Sequence, residues 1–501
     1  MAKQGQGVGF SLMLSAILMV MMVQTATAAT YYVANNGNNT NPGTLARPWK
    51  TIQKAANTLT PGSRVYVRAG VYQERVTVNV SGSLAGGYIQ FLNYPNETPI
   101  LDGTGLSVPA SDSGLFLVVD RSYLVIKGFE LRNFKTSAGG RVPVAIHIRG
   151  NSHHLRIRDN TIHYIQHNGT TANNTDAHGI AVYGDNATQA INNLIIDGNE
   201  LYALKLGSSE ALVINGNVTG FQVTNNRVHD NNNIGIDAIG FEGVSSDPAT
   251  DQARNGLISG NEVYNINSAG NPAYGSDRSA GGIYVDGGRN ITISENVVHH
   301  CNIGIELASE HAGRATSATI VRNNFIYLND VVGISVGGYD RNRGQTVGCS
   351  IVNNTLFRND RLQWGNGELQ LQFDTRNLVI KNNIFVTNAQ DYAITNTFTE
   401  NTGNVVDYNL YFAPDGAANA EWQWRKLWYK GFAAYRAATG HDSHSLFVNP
   451  LLVNTTLPDL HLKSTSPAIG VGQNTGLAGG VDIDGEVRVQ GGIEIGADEV
   501  R

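Results

Sequence analysis

Cysteine is scarce. Cys301 and Cys349 are the two in 501 residues, so disulfides cannot carry the stability of this chain, which must come from burial and backbone hydrogen bonding. The two cysteines fall at different phases of the repeat described below, and no pairing is expected. Positive charge in excess is also lacking. Lys and Arg number 35 against 41 Asp and Glu, a net charge of -6, which argues against nucleic-acid binding. Long apolar runs are missing apart from FSLMLSAILMVMMV (10–23), which is shorter than the ~20 residues of a membrane span. Lys3 precedes this run and Ala26-Thr27-Ala28 follows it, so residues 1–29 read as a cleaved secretory signal. The mature chain is expected outside the cytoplasm, extracellular or periplasmic, as a monomer without a stable membrane anchor.

Glycine is abundant, at 57 residues, and so is one motif, aliphatic–x–x–Asn–x–aliphatic. Its asparagines are Asn160, Asn199, Asn226, Asn261, Asn296, Asn324, Asn354, Asn383 and Asn409, spaced 26 to 39 residues apart. That spacing belongs to a solenoid. The units hold short β-branched segments between Asn- and Gly-rich turns, with no amphipathic helix, which disfavours helical and leucine-rich repeats. Propeller blades would be longer and four-stranded. The fold class is therefore all-β, a parallel β-helix with three strands per coil and an Asn ladder in one turn.

The N-terminal stretch opens with a strand. Pro48 then starts a helix with Ile52, Ala55, Ala56 and Leu59 on one face, stopped at Pro61-Gly62, a suitable cap for the solenoid end. YYVANNGNNTNPGT, PWKTIQKAA and PGSRVYVRAGVYQE resemble the opening of secreted bacterial right-handed β-helix proteins, a group that includes polysaccharide lyases of the pectate-lyase, chondroitinase-B and alginate-lyase kind. DLHLKSTSPAIGVG (459–472) and DIDGEVRVQGGIEIGADE (482–499) are similar to the closing coils of such proteins. The expected organisation is signal (1–29), N-terminal cap and first coils (30–110), β-helix with a cleft (111–414), lateral aromatic insert (415–450) and closing coils (451–501). The insert, with Trp422, Trp424 and Trp428, is expected to pack on the solenoid wall rather than to stack sugars.

Aligning the strand that follows each Asn turn gives the inward anchors Ile180, Leu212, Ile236, Ile283, Ile305, Ile334 and Leu369. One step later, on the opposite face, stand Ala181, Val213, Asp237, Tyr284, Glu306, Ser335 and Gln370. Asp286 lies two further along its strand, and Ile239 marks a strand that bends or ends early. Carboxylates thus concentrate on three consecutive coils. Glu242, Glu310, His311, Arg314, Asp340, Arg341 and Arg343 follow in the adjoining loops, while His178 and Arg278 border the same face.

Two chemistries fit this pattern. The resemblance implies a lyase acting on an acidic, uronate-containing polysaccharide by β-elimination. Asp237, Asp286 and Glu306 would hold Ca²⁺, which takes oxygen ligands. His311 or Arg314 would remove the α proton with Asp286 and Glu310 beside them, and Tyr284, His178, Arg278, Arg341 and Arg343 would bind substrate. In the calcium-dependent lyases that NNNIGID resembles, paired acids precede the last Asp, where this chain has Asn233 and Ile234. The alternative is a glycoside hydrolase with paired carboxyl groups as acid and base. A C5-epimerase would share the proton abstraction. A non-catalytic adhesin would instead show aromatic or polar ladders over many coils.

Overall fold

The computed structural model describes residues 1–2, 5, 29–488 and 491–500. The apolar run and the Ala-Thr-Ala site of the expected signal lie outside these residues. Each coil gives one strand to each of three parallel sheets. The first sheet runs from Thr30–Val33 to Val405–Asp407, the second from Val76–Thr77 to Leu427–Lys430 and the third from Gly70–Tyr72 to Leu446–Phe447. Among the described residues no helix is long and apolar enough to cross a membrane.

The repeat is explained by its turns. The residue before each motif asparagine takes a left-handed conformation, with φ of 51° at Asp159, 68° at Gly198 and 53° at Glu295. Asn, Asp and Gly bear that geometry at least cost. The asparagine that follows is buried, and its Nδ2 donates to the Oδ1 of the next, at 2.9 Å from Asn160 to Asn199 and 3.0 Å from Asn199 to Asn226. The ladder continues to Asn409. Nδ2 also reaches a carbonyl of the preceding coil, as in Asn296 to Ile258 O at 3.0 Å. These bonds satisfy backbone groups that a buried turn would otherwise strand.

Asn296→Ala would remove this donor and the oxygen that accepts from Asn261 N and Nδ2. An orphaned buried polar group costs ~1–3 kcal/mol. The variant is expected to lose about 3 kcal/mol in chemical denaturation, with no change in exposed aromatic surface.

The short helix Ile52–Ala56 closes the first end. Thr51 accepts the Lys54 N–H, and Ile52, Ala55, Ala56 and Leu59 are buried as the sequence suggests. The other end differs from expectation. The aromatic segment is the end cap rather than a lateral insert. Glu421–Trp424 adds parallel to Tyr392–Asn396, turns back as Leu427–Lys430, and the helix Phe432–Thr439 covers the core. Trp422 and Tyr435 are buried and stack at 5.1 Å, because a solenoid's last coil exposes apolar side chains that large rings cover best.

The described residues of 451–488 and 491–500 form a lateral strap rather than closing coils. Leu452, Leu460, Leu462, Ile495 and Ala497 pack on Phe325, Phe357, Ile384 and Leu410. Asn323 donates to Ala478 O and Val481 O, Asn353 to Glu494 O, and Asn382 to Gln473 O. Cys301 and Cys349 are free and buried.

Candidate active site on the second sheet

The second sheet pairs all seven anchors in the expected order, from Ile180↔Leu212 through Ile283↔Ile305 to Ile334↔Leu369. The same register sets Val213, Asp237, Tyr284, Glu306 and Ser335 in one transverse row. Asp286 pairs with Ala308, one outward position along from Glu306. The strand Ile236–Ile239 ends at Ile239, where Phe241 takes a φ of 74° and the chain leaves the sheet.

Asp237 and Asp286 are buried and Glu306 is half-buried. Asp237 is 2% exposed and Asp286 5%, and Tyr284 fills the rung between Asp237 and Glu306. Burial, then neighbouring carboxylates, lifts each carboxyl. Glu306 is pushed up to about 8, and Asp237 and Asp286 well above the usual carboxylate range. Asp286 Oδ1 accepts the Glu310 N–H at 2.8 Å, which opposes its shift. Among the described residues neither Asp237 nor Glu306 accepts a hydrogen bond, and Asp237 Oδ1 is a buried orphan.

Glu210 was missed by sequence reading. It is buried and pushed up to about 8 by desolvation, then by Asp176, and it is the foremost charge acting on Asp237. Register offered a signal. Leu212 pairs with Ile236, so Ser209-Glu210 stands where Asn233-Ile234 stands one coil later. Tyr274, also missed, lies 3.4 Å from Asn233 Nδ2 and is pushed up to about 12 by burial, although the Asn233 bond lowers it.

Three of the four basic rim residues pair with carboxylates. His311 Nε2 lies 2.8 Å from Glu242 Oε1, Arg341 is 2.7 Å from Glu400, and Arg343 bonds Glu310 O at 3.2 Å and stacks on Tyr339. Arg314 stacks on Phe241 with 4.9 Å to the ring centre. Arg278 does not reach the groove and instead pairs with Asp330 at 3.0 Å. His178 is buried, its Nδ1 3.0 Å from Glu210 O and its Nε2 3.2 Å from the Tyr183 hydroxyl. Desolvation holds it down to about 4, so it is uncharged at neutral pH, and it lines a cavity beside the acids.

The expected calcium set does not fit. Among the described residues the His/Cys/Asp/Glu group with ligand atoms within 4.8 Å of one another is His461, Asp484 and Asp498, on the strap. Asp237 and Glu306 are two rungs apart, about 10 Å between Cα atoms, with Tyr284 between them, and one Asp286 oxygen is already engaged.

A ring ladder on the third sheet also escaped the sequence reading. His163, Tyr202, His229, Tyr264, His299 and Tyr327 stack one above another at 4.7–5.2 Å and 2–14°. It runs over six coils, the pattern expected of an adhesive surface. The ring faces are spent on one another, however, and only edges remain for a ligand, so the ladder is structural.

Comparison with known proteins agrees with this architecture. A family model described as a Pel9A-like, right-handed beta helix region matches residues 31–216, and one described as a right-handed beta helix region matches 144–356. The uncharacterized protein YwoF of Bacillus subtilis (strain 168) is 40% identical over 437 residues, covering 87% of this chain and 91% of YwoF. Pectate lyase PEL9 of Emericella nidulans is 29% identical over 202 residues, 38% of this chain and 46% of that enzyme. Among solved structures, PfbA, a surface adhesin of Streptococcus pneumoniae, matches with a TM-score of 0.54 at 13% identity, over 81% of this chain and 94% of that one, a likeness of fold. The chain belongs to the family of YwoF, right-handed parallel β-helix proteins related to polysaccharide lyases.

Proposed function

We propose that the chain cleaves glycosidic bonds of a polysaccharide laid across the Asp237–Glu306 row, by hydrolysis. The arrangement that carries this reading is Asp237, Asp286 and Glu306 on one sheet face, with the Glu306 carboxyl pushed up to about 8 by burial. A carboxyl pushed up to about 8 still carries its proton at pH 7, as a general acid requires. Glu306 gives that proton to the leaving glycosidic oxygen. Asp286 Oδ1 accepts the Glu310 N–H, which favours its anion against the burial that raises it, and it acts as base in the fraction of the protein that has lost this proton. It takes a proton from water as the water oxygen bonds to the anomeric carbon and the old C–O bond breaks. Asp237, Tyr284 and Glu210 line the same row.

β-Elimination is the second reading. It is favoured by the buried, unpartnered Asn233 Oδ1 and Asp237 Oδ1 beside Glu210, oxygen donors of the kind calcium takes. With the metal bound there, a uronate carboxylate would be held and its α proton acidified. No lysine falls on the mapped strands, and His311 and Arg314 are engaged as described.

One assay separates the two. Purified protein is offered neutral and uronate polysaccharides with calcium or chelator, and reducing ends and absorbance near 235 nm are followed. Hydrolysis gives reducing ends without absorbance, insensitive to chelator. Absorbance that chelator abolishes would replace hydrolysis with elimination. Neither signal on any polymer would remove both readings.

A further inference from the structure

Beside the acids, on the same sheet, lies a cavity of about 460 Å³. His147 Nδ1 lies 2.8 Å from the Ser113 carbonyl oxygen, so its N–H donates there and Nε2 is left as an acceptor. Burial keeps the ring neutral. Nε2 is a buried atom without a partner, and so is Ser113 Oγ, on a side chain 5% exposed that lines the cavity. Two polar atoms thus await a ligand. Each suits a hydroxyl group, His147 as acceptor and Ser113 as donor or acceptor.

The charges around the cavity decide what kind of sugar fits. Its one guanidinium, Arg149, is saturated by Asp112 at 2.5 Å and by Asp185 through Nε at 3.0 Å and Nη2 at 2.5 Å. Asp176 adds a third carboxylate to the lining. Three acids against one engaged cation would repel a uronate. Val142, Val144 and Tyr183 supply an apolar wall, backed by the buried cluster of Val144, Ala181, Val213 and Ile239. Register ties the cavity to the acidic row, since His147, Ala181, Val213 and Asp237 pair on successive strands. Three rungs span about 14 Å.

We infer that this cavity is a subsite for an uncharged sugar residue of the polymer, three rungs along the sheet from the cleavage row. The inference rests on reading this sheet face as the polysaccharide groove. It narrows the substrate to a polymer with neutral residues at that distance from the scissile bond, contrary to the acidic polymer that the family resemblance implies.

Binding tests it without requiring turnover. The full mature chain and its Glu306→Gln variant are applied to immobilised xylan, galactan, mannan, β-glucan, polygalacturonate and alginate. Both proteins are expected to retain at least one neutral glycan and to leave polygalacturonate and alginate unbound. Ala110→Trp, on an exposed residue of the cavity wall, should weaken that binding at least tenfold without lowering the melting temperature. His147→Ala should weaken it in the same direction. Binding of uronate polymers alone, binding unaffected by Ala110→Trp, or no retention of any neutral glycan would overturn the inference. Retention by a protein that cleaves nothing would support the subsite and count against the hydrolytic reading. Cleavage of neutral polymers at an unchanged KM in Ala110→Trp would keep hydrolysis and remove the subsite.

Discussion

Glu306→Gln is expected to reduce kcat by about a thousandfold with little change in KM. Loss of a positioned general acid costs roughly 10²–10⁴ in rate. Gln keeps the shape of the side chain and the rung beside Tyr284, so binding should survive. A KM that rises while kcat holds would show that Glu306 grips substrate rather than protonating it. Asp286→Asn should fall by a similar factor, because the amide cannot take a proton from water. The double change His311→Ala with Arg314→Ala supplies the contrast. These groups face Glu242 and Phe241, so the rate should escape the loss of roughly 10²–10⁴ that removal of a proton-transfer group brings. If the double variant is inactive while Asp286→Asn is not, hydrolysis by these carboxyls is the wrong reaction.

The same acids should make the melting temperature fall as pH rises. Glu210, Glu306 and Glu368 are all raised to about 8 from an ordinary value of 4.5, with burial as the leading cause. A group whose pKa is higher in the fold than in the unfolded chain stabilises fully below 4.5, and that contribution is lost between 4.5 and about 8. His178 and His299 act in the opposite sense. Each is held down to about 4 by burial, so its contribution is full above 6.5 and is lost as pH falls towards 4. Above pH 6.5 the acids still titrate, and His461, which burial lowers but its bond to Asp459 and the nearby carboxylates raise overall, loses its contribution in the same direction, so the fall should be monotonic to pH 8. One pH unit of a single shifted group is ~1.4 kcal/mol, and mutual coupling reduces the sum, so a total on the order of 3–5 kcal/mol is expected. Calorimetry across this range would show it. A flat midpoint would mean that the carboxyls are solvated. Glu306→Gln should flatten part of the slope, and millimolar calcium would flatten it only if Glu210, Asn233 and Asp237 bind the ion.

Much of this architecture was written in the chain. The period fixed the coil and the inward anchors fixed the register, because one strand face must be apolar wherever it meets the core. Asp237, Tyr284 and Glu306 could therefore be placed in one row before any coordinates. The partners of the rim residues could not. Arg278 with Asp330 and Arg341 with Glu400 join positions 52 and 59 residues apart, through loops whose paths no periodicity dictates. Glu210 lies two residues before its anchor Leu212, outside the strand Leu212–Gly216 whose alternation assigns faces. The ring ladder was legible and overlooked: His163, Tyr202, His229, Tyr264, His299 and Tyr327 each stand three residues beyond a ladder asparagine. The strap left a signature as well. The doubled asparagines at 323–324, 353–354 and 382–383 divide their work, the second bonding along the turn ladder and the first reaching outward to the strap.

That strap alters how the solenoid comes apart. A stack of coils touching only their neighbours melts like a zipper, fraying from whichever end is weaker. Here the carbonyls of Gln473, Ala478 and Glu494 tie coils at Asn382, Asn323 and Asn353 to a common splint, which opposes their opening one at a time. The C-terminal half becomes a single cooperative block, and the coils ahead of it, which carry the acidic row, are left to breathe on their own.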